Sequence, residues 1–360
     1  MTKNATENRL KNLRSQMAQK KLDAVLVTKR ENYMYLSGFT GTSAFLVITG
    51  DEAVLVTDFR YTEQAQRQAP VYEVSTYAGS VIKGLNDVIE SRNIHTLGFE
   101  DTSLTVDKYN EYKEKLEIKE MAPLGGMFEE LRLIKDEEEL QLIKKAVKIA
   151  DDTFEHVLKL IKPGIAEVEL AAEMEYFMRR QGASGTSFQS IVASGKRSSM
   201  PHGVASEKKL EMGDTITLDF GALYNGYCSD MTRTVFLGKP DEELKKIYKI
   251  VLEAQLAGSA GVKTGLSGKD IDMIARELIA KAGYGDKFGH GLGHGVGLEI
   301  HEEPRLSMTG LRIMKNGMVV TVEPGIYVDG LGGVRIEDML VVNDDKPLVL
   351  TASTKEMIVI

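Results

Sequence analysis

The sequence is poor in cysteine, in long apolar runs and in positive charge. Its single cysteine, Cys228, excludes an internal disulfide framework and a cysteine-based zinc site, and it is typical of a reducing compartment. No apolar run approaches the roughly 20 residues of a membrane span. Residues 1–17 also lack the apolar region of a secretory signal. We therefore expect a cytoplasmic protein that does not act on a membrane.

The acidic side chains outnumber the basic ones. The 360 residues contain 45 Lys and Arg against 53 Asp and Glu, a net charge of −8, and no stretch concentrates the basic ones. This balance argues against nucleic acid as the partner. The length allows two domains with a sizeable core, and 42% hydrophobic residues are ordinary for a globular protein.

Short apolar runs alternate with helical patterns in the N-terminal third. This alternation predicts a small α/β domain. The strands are expected at 23–28, 43–49, 52–58 and 95–100, and the helices at 8–20, 60–68 and 80–92. Proline and glycine cluster in MAPLGG, residues 121–126, which makes this segment the candidate linker. The predicted domains are therefore 1–125 and 126–360.

The C-terminal domain is predicted to be α+β, with mostly antiparallel strands. Asp136, followed three residues later by Glu139, has the capping-box pattern that begins a long helix. Other helical patterns lie at 166–180, 241–257 and 268–282. Strands and glycines dominate the remainder.

One predicted hairpin, LDFGALYNGYCSD, carries two aspartates on otherwise apolar strands. If Asn225-Gly226 is its two-residue turn, Tyr224 pairs with Tyr227 and the register follows by counting outward. Asp219 and Asp230 then lie on one face as diagonal neighbours, roughly 7–8 Å apart at the backbone. Because two buried carboxylates repel and raise each other's pKa unless a cation lies between them, we expect a metal site.

A second acidic hairpin, TVEPGIYVDGLGGVRIEDMLVV, echoes the first. A loop centred on Gly330 would place Glu323 opposite Glu337, and a β-bulge would change that count. On the outgoing strand Arg335 and Glu337 share one face, whereas Asp338 falls among apolar residues. Glu337 is therefore the predicted participant in the site, with Arg335 beside it.

A glycine-rich segment, FGHGLGHGVGLEIHEEPR, lies between the hairpins and holds His290, His294 and His301. A helix is not expected there, since each interior glycine costs about 1 kcal/mol. The spacing does not match a dinucleotide-binding loop. The glycines are better explained if the backbone passes close to a ligand or to another strand.

Together these segments offer four carboxylates and an imidazole, which suit two divalent ions such as Mn, Fe, Co or Zn. Two such ions about 3.5–4 Å apart can share and activate a water for hydrolysis. Taken singly, each acid could belong to a solvated face or a turn, and a single histidine could be structural. The combined pattern is what favours a metal centre.

Residues 200–340 resemble the metallopeptidases of the pita-bread fold, which include methionine aminopeptidases, aminopeptidase P and prolidase. The resemblance is carried by MPHG, LDFGALYNGYCSDMTRT, GHGLGHGVGLEIHE, TVEPGIY and GGVRIED. ENYMYLSGFTG and TDFRYTEQA resemble the extra N-terminal domain of the members that cleave before proline. The expected fold is therefore an α/β N-terminal creatinase/prolidase-like domain and an α+β pita-bread domain with a curved, mostly antiparallel sheet.

The resemblance also implies a role for each matching residue. The implied metal ligands are Asp219, Asp230, His294, Glu323 and Glu337, with Asp230 and Glu337 bridging two ions, most simply Mn²⁺. His202 would contact the scissile peptide, His301 would steady the oxyanion, and Glu323 would transfer a proton. The implied substrate contacts are His290, Arg305 and Arg335.

The implied reaction is hydrolysis of an Xaa-Pro bond in a small peptide with proline at its second position. Arg305 resembles the carboxylate-binding arginine of prolidases and favours a dipeptidase, and aminopeptidase P, acting on longer peptides, is the alternative. A creatinase-like enzyme would lack the five ligands, and a non-catalytic protein on the same fold would be expected to lose ligands or histidines. Family members are commonly dimers, so a homodimer is expected.

Overall fold

The four apolar runs of the N-terminal part form four strands of one six-stranded sheet. The computed structural model describes residues 2–360 and divides the chain into two units between Arg132 and Leu133. The elements of the first unit are α1 (Lys3–Lys20), β1 (Ala24–Val27), α2 (Arg30–Ser37), β2 (Phe45–Thr49), β3 (Ala53–Asp58), α3 (Thr62–Gln68), β4 (Glu73–Tyr77), α4 (Val81–Ser91), β5 (Thr96–Phe99), α5 (Val106–Lys115), β6 (Glu120–Pro123) and α6 (Met127–Arg132).

The strand order β4-β3-β2-β1-β5-β6 makes a mixed sheet. Strands β1, β2 and β3 pair antiparallel, whereas β3–β4, β1–β5 and β5–β6 are parallel. The α/β class predicted for this unit is confirmed. The first residues of the predicted linker form the edge strand β6 instead, and the boundary at residue 125 stays a prediction.

The sequence pattern does not predict α2, β4 or α5. The residues of β4 are exposed or half-buried because it is an edge strand, so it lacks the continuous apolar run of β3. Helix α5 buries only Tyr112 among its ten residues, which leaves little helical periodicity to detect.

The second unit combines four long helices with short strands. Its elements are α7 (Glu137–Val157), α8 (Glu167–Arg180), β7 (Gly185–Thr186), β8 (Ile191–Ser194), β9 (Thr215–Phe220), β10 (Ala222–Tyr224), β11 (Tyr227–Cys228), β12 (Met231–Phe236), α9 (Glu242–Gly261), α10 (Gly268–Lys281), β13 (Gly293–Gly295), β14 (Glu302–Leu306), β15 (Val319–Val322), β16 (Gly325–Val328), β17 (Gly332–Arg335), β18 (Asp338–Val341), β19 (Leu348–Val349) and β20 (Ile358–Val359). Its sheets have the orders β11-β10-β7, β20-β12-β9-β8, β14-β13-β15-β18-β19 and β16-β17.

Nearly all strand pairs of this unit are antiparallel, as predicted, and β12–β20 is the parallel one among the described strands. Helix α7 begins with the predicted capping box, in which the side chains of Asp136 and Glu139 accept from each other's backbone N–H groups. The other three predicted helices form as α8, α9 and α10.

Two apolar clusters hold the second unit together. One joins α7 and α8 to β9 and β12, and the other joins α9 and α10 to β15 and β18. Each acidic hairpin thus has a layer of helices behind it, which fixes its strands because each fully buried large apolar side chain contributes about 1.5–3 kcal/mol. None of the helices within residues 2–360 has both the length and the apolar character needed to cross a membrane.

Candidate metal centre

A cavity of about 470 Å³ in the second unit gathers the residues that the sequence singled out for chemistry. It is lined by His202, Asp219, Asp230, His290, His294, His301, Arg305, Glu323, Arg335 and Glu337. These residues span more than a hundred positions of the chain. Their convergence is the outcome that a shared catalytic site requires.

The first hairpin folds with the predicted register. Asn225 and Gly226 both have positive φ, 46° and 85°, and Tyr224 pairs with Tyr227. Asp219 lies opposite Thr232 in β9–β12. Gly221 is needed between the two halves of the hairpin, because a Cβ there would lie 1.7 Å from the carbonyl oxygen of Ser229.

The second hairpin places its two glutamates at an interruption in strand pairing. Val322 pairs with Asp338 on one side, and Gly325 pairs with Arg335 on the other. Both pairs belong to the register centred on Gly330, so Glu323 faces Glu337 at the gap. The carboxylates thus occupy positions whose backbone is not part of a continuous ladder.

His294 lies at the centre of β13, between β14 and β15. A Cβ on Gly293 would lie 2.1 Å from the carbonyl oxygen of Thr321, and one on Gly295 would lie 2.2 Å from that of Glu303. The close backbone approach predicted for these glycines is confirmed. The backbone N–H of His294 donates to the Thr321 hydroxyl at 3.0 Å, and that hydroxyl donates to Glu323 at 3.1 Å.

Three side chains form the tightest group of donors. One ligand atom each of Asp230, His294 and Glu337 lies within 4.8 Å of the others. His294 Nε2 lies 3.6 Å from Asp230 Oδ2 and 3.2 Å from Glu323 Oε1. His294 Nδ1 lies 3.1 Å from the carbonyl oxygen of Gly295, which only accepts, so Nδ1 carries a proton. Nε2 faces the cavity acids, where it offers a proton to Glu323 in the metal-free protein and would offer its lone pair to a bound metal ion.

The four acids that line the cavity have unusual pKa values. Burial, reinforced by neighbouring carboxylates, raises the pKa of Asp219 and raises those of Asp230 and Glu337 well above their ordinary values. Burial also acts to raise the pKa of Glu323, but the hydrogen bond and positive charge of His294 outweigh it and bring the pKa to about 2. Four acids this close need a cation to be ionised together.

Two carboxylate oxygens have no hydrogen-bond partner within residues 2–360, although both are buried: Asp219 Oδ1 and Glu337 Oε1. Unsatisfied buried oxygens are costly unless something else binds them. Together with Asp230, Glu323 and the lone pair of His294, they form an oxygen-rich donor set with one nitrogen, which fits a divalent metal ion.

The Arg335 side chain forms hydrogen bonds with the first hairpin, with Pro201 and with Tyr327. Its Nη2 donates to Asp219 Oδ2 at 2.5 Å, and its Nε donates to the Thr232 hydroxyl at 3.1 Å. Nη1 donates to the carbonyl oxygen of Pro201 at 3.2 Å and to the Tyr327 hydroxyl at 2.9 Å. The guanidinium thus orients Asp219, and a substrate contact by Arg335 stays a prediction.

Tyr327 is a site residue that the sequence reasoning missed. Its hydroxyl accepts from Arg335 and lies 2.9 Å from His290 Nε2, while His290 Nδ1 lies 2.8 Å from the carbonyl oxygen of Gly291. Both ring nitrogens of His290 therefore already have protein partners, and burial lowers its pKa. The available signal was the alternation of Glu323, Gly325 and Tyr327 along the incoming arm of the second hairpin.

The His290 loop is secured from helix α10. Arg276 donates to the carbonyl oxygens of Phe288 and His290, and its guanidinium carbon lies 4.3 Å from the centre of the Phe288 ring. Asp272, which is fully buried, accepts from Arg276 and from the backbone N–H of Leu292. This ion pair connects a helix of the core to the cavity wall.

Three predicted functional side chains line the cavity with greater exposure: His202, His301 and Arg305. The His301 ring centre lies 4.4 Å from that of His294, and burial, His294 and Arg305 together lower the pKa of His301. Within residues 2–360, the guanidinium of Arg305 and the imidazole of His202 form no ion pair or hydrogen bond. Both side chains are therefore available to a bound molecule.

Comparisons with known proteins identify both domains of the chain. The chain matches the Creatinase/Prolidase N-terminal domain over residues 9–134 and Metallopeptidase family M24 over residues 141–344. It is 41% identical to the Xaa-Pro dipeptidase of Pyrococcus furiosus, covering 98% of this chain and 100% of that one.

Two solved structures are similar over nearly their whole length. The Xaa-Pro dipeptidase from Bacillus anthracis has a TM-score of 0.96 and 48% identity, covering 99% of this chain and 100% of that one. The X-Pro aminopeptidase from Thermotoga maritima has a TM-score of 0.91 and 38% identity, covering 96% and 100%. The predicted fold, an α/β domain followed by a pita-bread domain, is confirmed.

Proposed function

The chain belongs to metallopeptidase family M24, and on that premise we propose that it hydrolyses the Xaa-Pro bond of dipeptides. The observation that carries the proposal is the group formed by Asp230, His294 and Glu337, which line the cavity with donor atoms within 4.8 Å of one another. Membership of the family implies divalent metal ions as cofactors.

We assign the metal to five residues: Asp219, Asp230, His294, Glu323 and Glu337. Four carboxylates would neutralise two divalent ions, and Asp230 and Glu337 would help to hold both of them. When bound, the ions would supply Lewis-acid activation of the carbonyl and of the attacking water. Arg335 favours the ionised form of Asp219 and orients it through the hydrogen bond at its Oδ2.

The proton is carried by Glu323 in this proposal. Its pKa of about 2 in the metal-free protein, and the positive ions in the metal-bound one, keep it a carboxylate at neutral pH, so it can accept a proton from the attacking water. It would then return that proton to the nitrogen of the leaving proline. His301, beside His294 at the cavity wall, would stabilise the charge on the carbonyl oxygen, and His202 would bind near the leaving nitrogen.

Arg305 supports a dipeptide as the substrate. Proline lacks an N–H and has a fixed φ, so its bond requires a pocket of matching shape. In a dipeptide, the product proline carries a free carboxylate. Arg305 lines the cavity beside His301, and its guanidinium is not engaged by any acid within residues 2–360. A guanidinium recognises a carboxylate through paired hydrogen bonds.

The second candidate is an Xaa-Pro aminopeptidase, which would accept longer peptides. The similarity to the Thermotoga maritima structure favours it. A chain-length series, Ala-Pro against Ala-Pro-Ala and Ala-Pro-Ala-Ala in buffer of defined metal content, separates the two. We expect the highest kcat/KM on Ala-Pro. A preference for the longer peptides would support the aminopeptidase, and no turnover of any of them would refute both.

Three further properties are proposals of the same kind. The chain works as a homodimer, with manganese as the native metal, in the cytoplasm, where one cysteine among 360 residues suits a reducing environment. Sedimentation of the purified protein tests the dimer. Activity restored to chelated protein by Mn²⁺, Co²⁺, Zn²⁺ or Fe²⁺ compares the metals.

A further inference from the structure

We propose that Glu167 is a positioning residue for His202. It positions this histidine by holding the chain segment that carries it. The His202 segment is defined here as residues 194–206. Glu167 begins helix α8 and does not line the cavity. The inference deepens the proposed function, and it rests on the assignment of His202 to that reaction.

The carboxylate of Glu167 connects the two ends of the His202 segment. Its Oε1 accepts from the backbone N–H of Ser194 at 2.8 Å and from the Ser194 hydroxyl at 2.7 Å. Its Oε2 accepts from the backbone N–H of Ser206 at 3.0 Å and from the Ser206 hydroxyl at 2.6 Å. Ser194 and Ser206 are twelve positions apart, so one side chain closes the loop between them.

Arg197 adds a connection from inside the segment. Its Nε donates to Glu167 Oε2 at 3.1 Å, and its Nη2 donates to the carbonyl oxygen of Val204 at 2.7 Å. The carbonyl oxygen of Val204 is thus connected to the Glu167 carboxylate through the Arg197 guanidinium. Val204 and His202 both line the cavity, so this connection is made two residues from the histidine.

Glu167 is fully buried, whereas the Arg197 side chain is 27% exposed. A buried carboxylate is stable only when donors occupy its lone pairs, and all five donors here come from the His202 segment. Displacing the segment would leave the charge without partners. The carboxylate therefore holds the segment in one conformation.

The position of His202 depends on the segment because its own imidazole has no hydrogen-bond partner in the described part of the chain. Within residues 2–360 its imidazole forms no hydrogen bond, so its position follows from the backbone of the segment. Other contacts come from the second hairpin, where the Ser198 hydroxyl accepts from the backbone N–H of Gly333 and the carbonyl of Pro201 accepts from Arg335. These fix the cavity side of the segment, and Glu167 fixes its far side.

The test is Glu167→Gln, which keeps the shape and removes the charge. Glu173→Gln, on the same helix and paired with the half-exposed His156, is the control for losing one glutamate from α8. Ser206→Ala removes one donor and serves as a milder variant should Glu167→Gln fold poorly. Each variant is studied by hydrogen exchange of the His202 segment, and by turnover of Ala-Pro with and without His202→Ala.

We expect Glu167→Gln to speed amide exchange in the His202 segment about tenfold while β9 stays protected. We expect kcat to fall about tenfold with KM changed less, because a displaced histidine costs more in the transition state. That loss should vanish in the His202→Ala background. Unchanged exchange, or an equal loss with and without His202, would overturn the inference.

Failure of the proposed function has a different result. If the parent protein does not hydrolyse Ala-Pro, or if His202→Ala retains full activity, the function or the role of His202 is wrong. The exchange measurement still decides in that case whether Glu167 anchors the segment. The two failures are thereby separated.

Discussion

Glu323 and Glu337 face each other where the second hairpin interrupts its hydrogen-bonded ladder. The pairs on both sides keep one register, Val322 with Asp338 and Gly325 with Arg335. The two glutamates differ in their electrostatics. Burial raises the pKa of Glu337 well above its ordinary value, whereas the hydrogen bond and positive charge of protonated His294 bring that of Glu323 to about 2 despite burial.

This difference predicts opposite stability changes in chelated, metal-free protein. The raised pKa of Glu337 means that its ionised form destabilises the fold, a penalty absent at acid pH that grows as the pH rises above the ordinary carboxyl pKa. Glu337→Gln should therefore raise the melting temperature at pH 7 by a few degrees. Thermal unfolding with EDTA measures it.

Glu323→Gln is the matched control for that experiment. The lowered pKa of Glu323 means that its ionised form stabilises the fold above the ordinary glutamate pKa of 4.5, and this contribution is lost as the pH falls through about 2. Glu323→Gln should therefore lower the melting temperature at pH 7. Shifts of the same sign in both variants would contradict the electrostatic description of the site.

Asp230→Ala tests the metal assignment. Asp230 is a buried member of the three-residue donor group, and its replacement removes a ligand without disturbing the apolar core. We expect bound metal to fall and turnover of Ala-Pro to drop on the order of 100-fold or more, with unchanged circular dichroism. The control is Asp286→Ala, an exposed aspartate beside Lys287. Turnover of Ala-Pro by Asp230→Ala at the rate of the parent protein would contradict the metal assignment.

Arg305→Ala tests the preference for dipeptides. A charged hydrogen bond contributes about 1.5–3 kcal/mol, so kcat/KM on Ala-Pro should fall about 10-fold to 100-fold. Ala-Pro-Ala, whose carboxylate lies one residue further away, should lose much less. Steady-state kinetics on both peptides measures the effect, and Arg305→Lys should restore part of it. Equal losses on both substrates would argue against carboxylate recognition.

Tyr327→Phe tests the connection between His290 and Arg335. The change removes a hydroxyl that contacts both side chains, so His290 Nε2 loses its partner and Arg335 Nη1 keeps only the carbonyl oxygen of Pro201 among the described residues. We expect kcat on Ala-Pro to fall about tenfold, because His290 and Arg335 lose the hydroxyl that orients them beside the metal ligands. Metal content should be retained. A variant as active as the parent would show that the connection is dispensable.

Much of the site followed from local rules of the sequence. The Asn225-Gly226 turn and the period of two were enough to pair Asp219 with Thr232, and the count about Gly330 was enough to set Glu323 against Glu337. Turn chemistry fixes register, and register fixes which side chains share a face. The roles of the individual residues came from the family resemblance instead, and they remain predictions.

Contacts between distant segments could not be predicted. Glu167 looks like an ordinary acid in the first turn of a helix, and its donors lie 27 to 39 positions away. Asp338 stands among apolar residues because Arg233 and Gln255, which it contacts, are buried with it. Such partners depend on the tertiary packing, which periodicity does not describe.

The central claim is that Asp219, Asp230, His294, Glu323 and Glu337 bind two divalent ions at one point. Anomalous diffraction from crystals grown with Mn²⁺, recorded near the manganese edge, measures this directly. The account predicts two peaks, each within about 2.0–2.3 Å of oxygen or nitrogen atoms of these five residues. Peaks elsewhere, or none, in crystals of protein that hydrolyses Ala-Pro would contradict it.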